Sequence, residues 1–178
     1  MGLDISAYSG IKKLDARMNG DGEAIDTKTG VLLPQDGMWF TAWVNPVFPG
    51  RAGDIESGAV YSYENCTCFS IGYARHAGWR EKLAEISGYP LAEQVHYGRV
   101  EKCYLAGALS GECGPFYELI NFSDCEGVIG TGVSEKLAKD LAEFKGRAMG
   151  VSEGFYDLYL KWKAAFEMAS NNGCVRFH

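Results

Sequence analysis

The sequence is poor in the residue patterns that most often announce a chemistry. Its three histidines, His76, His96 and His178, stand far apart, so no His-x-x-x-His or similar spacing marks a multi-histidine metal site. The six cysteines include no Cys-x-x-Cys pair, and a structural zinc site ordinarily shows close ligand pairs at two places. Six free thiols, mostly buried as small hydrophobes, are expected instead, with no metal and no cofactor. The glycines form neither a Walker nor a dinucleotide fingerprint. No apolar run reaches the roughly 18 residues that a membrane-spanning helix requires, and no charged-then-apolar pattern of a signal peptide is present. No membrane association and a cytoplasmic location are therefore expected.

Basic charge is also short. The chain carries 17 Lys and Arg against 23 Asp and Glu, for a net charge of −6, and the two signs are interspersed. A nonspecific nucleic-acid surface needs clustered cations, so none is expected. The same interspersion argues against a mimic of DNA.

What is present fits an ordinary globular protein. At 178 residues, 47% hydrophobic and 22% charged, the chain suits one domain over 1–178. A chain of that size buries roughly 70% of its unfolded surface and needs no staple. Aromatic residues, at 13%, are plentiful enough to serve both a core and a binding surface.

The first half reads as strands. Leu3, Ile5 and Ala7 alternate with Asp4, Ser6 and Tyr8, the pattern of a half-buried strand. A second strand follows through Ile11 and Leu14, and the Asn19 to Glu23 turn joins a hairpin. That turn is no calcium loop, because Arg17 and Lys28 fall on its first and last ligand positions. Residues 38–44 form an aromatic strand. Residues 45–54, with two prolines and two glycines, read as a surface connection with a solvated Arg51, a binding role for Arg51 being the alternative. Residues 58–63 and 67–71 read as a hairpin around Glu64 and Asn65, with Cys66 and Cys68 on one strand face. Trp79, Leu83 and Ile86 then mark a helix that stops at Gly88. Arg75, His76 and Arg80 at its start are candidates to receive an anion. His96 is a lone candidate, and residues 101–109 read as helix or strand, helix being preferred.

Residues 114–130 hold the densest cluster of reactive side chains. Phe116, Leu119 and Ile120 give one apolar helix face, and Ser123 to Glu126 has the Ser-x-x-Glu form of a helix cap. Gly127, Gly130 and Gly132 follow, so a capped turn leading into a glycine-rich loop is expected. Asp124 and Glu126 are paired carboxylates, fit to divide acid and base roles or to bind a ligand, and Cys125 becomes a nucleophile only beside a histidine. Arg51 and Arg80 are the candidate counter-charges. Two helices close the chain, one capped by Ser134 with Leu137, Leu141 and Phe144 inward, one capped by Ser152 with an aromatic stripe from Phe155 to Phe166. Cys174 to His178 reads as a terminal strand. The whole is an α+β fold, with an antiparallel sheet from N-terminal hairpins and C-terminal helices packed on one face.

Several runs carry a resemblance: Met1-Gly-Leu-Asp with Ala7-Tyr8, Asn45-Pro with Phe48-Pro-Gly-Arg51, Trp79-Arg80, Glu118-Leu-Ile-Asn-Phe-Ser-Asp-Cys-Glu-Gly127, and Trp162 through Ala165-Phe-Glu167 to Phe177-His178. In these the chain is similar to a group of bacteriophage, prophage and bacterial proteins to which no activity is assigned. The resemblance transfers no catalytic residue and implies only a phage or bacterial cytoplasmic setting. Two functions are carried forward. One is a noncatalytic binding or accessory protein engaging a host protein or a small anionic ligand through Asp124, Glu126, Cys125, Arg51, Arg80 or His96. The other is a small hydrolase or transferase using the Asp124 and Glu126 pair.

Overall fold

The computed structural model describes residues 2–35, 37–96, 98–124 and 127–178. In chain order the first strands are β1 (Gly2–Ser9), β2 (Lys12–Lys13), β3 (Ala16–Met18), β4 (Ala24–Asp26) and β5 (Trp39–Thr41). A single 3₁₀ turn, Pro49–Arg51, precedes β6 (Val60–Ser62), β7 (Asn65–Gly72) and α1 (Tyr73–Ser87). A hairpin of β8 (Ala92–His96) and β9 (Arg99–Cys103) leads to α2 (Tyr104–Leu109) and α3 (Tyr117–Ile120). Then come β10 (Gly127–Gly130), α4 (Thr131–Glu143), α5 (Lys145–Met149), α6 (Glu153–Ala169) and β11 (Cys174–Phe177). The fold is α+β, with antiparallel sheets and a helical layer packed on one face of the main sheet. Among the described residues no helix is long and apolar enough to cross a membrane.

The main sheet has the order β10-β11-β1-β7, antiparallel throughout. Two of its four strands come from the second half of the chain, and the terminal strand lies inside it. The alternation in β1 explains the layering. Leu3, Ile5 and Ala7 are fully buried against the helices, with Val175 and Phe177 of β11 beside them. Trp162 of α6 is the hub of that layer. Its ring stacks on Phe177 (centroids 5.5 Å apart) and Trp79 (5.8 Å) and meets Phe69 edge-on (5.0 Å). A smaller core covers one end of the opposite face, where Tyr8 stacks on Phe40 at 4.2 Å beside Tyr61 and Val128.

Several local expectations are corrected. Residues 58–63 and 67–71 do not pair with each other: β6 joins β2 and β5, while β7 pairs with β1 along all eight of its residues. The long complementary register outweighs the local turn. Residues 101–109 split into the end of β9 and the short α2. The helix expected from Trp79 begins at Tyr73 and closes, as expected, at a left-handed Gly88. Ser152 caps α6 through a bond from the Phe155 amide, but Ser134 does not cap α4, which starts at Thr131 and leaves Ser134 buried with its hydroxyl directed to the Ile129 carbonyl.

The glycine-rich segment is not a loop. Residues Gly127–Gly130 are a fully buried edge strand. A Cβ on Gly127 would sit 2.4 Å from the Trp43 carbonyl oxygen, and one on Gly130 would sit 2.2 Å from that of Ala52. These glycines let the 43–52 segment cross directly over the strand, and the Val128 amide bonds the Trp43 carbonyl at 3.0 Å.

Candidate functional site

Helix α1 organises the chemistry. Its buried stripe is His76, Trp79, Arg80, Leu83 and Ala84, so two polar residues occupy core positions. Arg80 Nη1 donates to the Ile120 carbonyl at 2.6 Å. From the other side Arg51 Nη1 donates to the Asn121 carbonyl at 3.3 Å. Arg51 is only 7% exposed, and its guanidinium lies 3.8 Å from the centroid of Phe48 and 5.1 Å from that of Phe122. The solvated Arg51 is thus corrected: cation–π stacking and the carbonyl draw it inward. The two arginines engage consecutive carbonyls at the end of α3, groups that a terminating helix leaves without intrahelical partners.

His76 completes this junction. It is fully buried, stacked at 5.6 Å on Trp162, and among the described residues no hydrogen bond of good geometry reaches either ring nitrogen. Burial, reinforced by the neighbouring Arg80 cation, pushes its pKa down to about 4. The Ser123 backbone and the Asp124 carboxylate lie close enough to oppose that drop without reversing it. At neutral pH the ring is therefore uncharged.

The structure brings Arg51, Arg80 and His76 to the 120–124 segment. Asp124 lies in an exposed bend after the buried Phe122. Cys125 and Glu126 lie outside the described residues. His96 ends β8, on the separate β8–β9 hairpin, with its backbone paired to Arg99. Among the described residues no three His, Cys, Asp or Glu side chains are placed to hold a metal.

A second polar cluster escaped the sequence reading. On the outer face of the main sheet Ser6 Oγ and His178 Nε2 lie 2.9 Å apart, and Asp4 accepts a short hydrogen bond from Ser70. Only strand alternation combined with the central place of β11 assembles these residues. The Ser–His contact resembles the start of a nucleophilic dyad. However, β1 is paired on both sides, so its amides are spent in the sheet and offer no oxyanion donors.

The opposite flank of α1 is open. Between α1 and α6 lies a cleft of about 300 Å³ whose floor is Trp79, Phe155 and Leu158. Trp79 and Phe155 are stacked with centroids 5.6 Å apart, and Trp79 Nε1 donates to the Phe155 carbonyl at 3.3 Å. Two cations stand on its rim. Arg75 Nη2 reaches the Gly154 carbonyl at 3.1 Å, and Lys82 bonds Glu85. Gly78 lines the opening, and a Cβ there would meet no atom within 4 Å. The positions 75, 78, 79 and 82 share one helix side by simple periodicity. Comparison of the chain with protein-family models, with curated proteins and with solved structures returns no match.

Proposed function

We propose that the chain is a noncatalytic binding protein whose ligand is a small anion with a flat apolar body, seated in the cleft between α1 and α6. The observation that carries this reading is the pairing of an aromatic floor, Trp79 and Phe155, with the rim cations Arg75 and Lys82. Such a composition, mostly apolar with a few placed charges, is that of a small-molecule site. Arg51 and Arg80, the cations first considered for an anion, are buried, whereas Arg75 is exposed and Lys82 half-buried at the cleft on the other flank of the same helix, which is why the site is placed there. An accessory role in a phage or bacterial setting accords with the resemblance in the sequence. No observation favours the hydrolase or transferase reading.

The test is calorimetric titration with a panel of aromatic carboxylates and nucleoside monophosphates. Binding by at least one member is expected, weakened about tenfold or more by Arg75→Ala with Lys82→Ala and blocked by Gly78→Leu. A panel that gives no heat, or binding indifferent to all three substitutions, rejects the cleft as the site.

A further inference from the structure

The cleft between α1 and α6 does not end at its aromatic floor. A second cleft of about 400 Å³ adjoins it toward β7, and Arg75 and Leu158 line both. The two differ in chemistry. The first is floored by Trp79, Phe155 and Leu158, whereas Ser70, Asp157 and Lys161 bring polar groups into the second. Arg75 stands at their border, and the bond from its Nη2 to the Gly154 carbonyl, 3.1 Å long, holds it there. Asp157 and Lys161 lie one helical turn apart on the exposed side of α6, about 6 Å along its axis. An acidic residue four places ahead of a lysine is well set for an ion pair. Yet among the described residues neither side chain has an ion-pair or hydrogen-bond partner. The second cleft thus offers a carboxylate and an ammonium of its own, together with the Arg75 guanidinium. A phosphate entering it meets repulsion from Asp157, and a plain cation meets repulsion from Lys161 and Arg75. A ligand head that carries both charges meets a complement to each.

We infer that the ligand is an aromatic α-amino acid, an inference that rests on the α1–α6 cleft being the ligand site. Its carboxylate is held by Arg75 and Lys161, its ammonium by Asp157, and its ring by Trp79 and Phe155. The two charged groups and the side chain of an amino acid branch from one carbon. The border at Arg75, where the polar and apolar clefts meet, is the matching place in the protein. A nucleoside monophosphate sets its phosphate against Asp157, and a ring bearing a carboxylate alone leaves Asp157 without a partner.

Calorimetric titration of the full chain with L-tryptophan, L-phenylalanine and their deaminated counterparts, indolepropionate and phenylpropionate, tests this. At least one amino acid is expected to bind about tenfold or more tightly than its deaminated counterpart. Asp157→Asn is expected to erase that preference by weakening the amino acid alone, while Lys161→Met weakens both. Both positions are exposed, so both variants keep the melting temperature. A deaminated acid that binds as tightly as its amino acid, or a preference that survives Asp157→Asn, overturns the inference and leaves the cleft as a carboxylate site. No heat from any of the four also overturns it, and a nucleoside monophosphate that then binds and responds to Arg75→Ala keeps the cleft as the ligand site.

Discussion

Arg80 reaches across from α1 and donates to the carbonyl of Ile120 at 2.6 Å, tying two helices together through a buried charge. The bond satisfies an acceptor that the end of α3 leaves open, and its donor is ionised, which strengthens it. Arg80→Met keeps much of the aliphatic volume and removes the donor. It is expected to lower stability by about 2–4 kcal/mol, because the fully buried Ile120 leaves its carbonyl without a replacement. Urea unfolding followed by tryptophan fluorescence measures this, and a loss below about 0.5 kcal/mol contradicts the structural weight placed on the contact.

His76 makes stability depend on pH. Its folded pKa of about 4 lies below the ordinary 6.5, so between those values the unfolded chain holds the extra proton. The stability it confers is complete above pH 6.5 and is lost as pH falls toward 4, on the order of 3 kcal/mol. His76→Leu is expected to flatten the stability curve between pH 6.5 and 4.5, above the range in which carboxylates dominate. His178 is displaced in the same direction by desolvation and Arg176, but it is exposed and screened, so His178→Asn should change the curve little. Equal slopes for wild type and His76→Leu refute the assignment.

Two glycines make a matched comparison. A Cβ on Gly173 would stand 1.9 Å from the Tyr8 carbonyl oxygen, backbone of the central strand β1, so Gly173→Ala is expected to cost more than about 3 kcal/mol. Gly78 sits in α1 with open space at its Cβ position, so Gly78→Ala is expected to stabilise by about 0.5–1 kcal/mol. Melting temperatures should therefore move in opposite directions.

The thiols should separate by reactivity. Cys174 is fully buried beside Tyr8, and burial pushes its pKa to about 12, which leaves almost no thiolate at neutral pH. Cys66, Cys68 and Cys113 are exposed. Peptide mapping of dilute native protein treated with iodoacetamide is expected to find these three alkylated and Cys174 modified only after unfolding. Early alkylation of Cys174 counts against the packing of β11 against β1.

Where physical period and burial agree, the sequence is a good guide. The alternation of Leu3, Ile5 and Ala7 and the stripe from Phe155 to Phe166 occupy the core that their spacing predicts. Helix α1 shows the limit: His76 and Arg80 stand at core positions, which hides its first two turns from any reading based on apolar period. Glu64 and Asn65 look like a hairpin because a turn is a local signal. The pairing of β7 with β1 spans some sixty residues of sequence and leaves no such mark. Gly127 and Gly130 read as a loop because glycine signals freedom, whereas here it signals close approach by the backbone of Trp43 and Ala52. Arg51 and Arg80 do meet the 120–121 carbonyls, but the cleft beyond Trp79 depends on how α1 lies against α6, and no single segment encodes that.

The terminal strand β11 sits between β1 and β10. During synthesis, β1 therefore emerges from the ribosome with β7 available soon after it but with its other neighbour still untranslated. At about 5–20 residues per second, a wait of roughly five to twenty seconds separates the two partners. Throughout that interval the nascent sheet has β1 as an unprotected apolar margin, with Leu3, Ile5 and Ala7 uncovered until α6 arrives. Quality control by the cell's chaperones thus bears on Gly2–Ser9 of β1 long before Cys174–Phe177 of β11 are made.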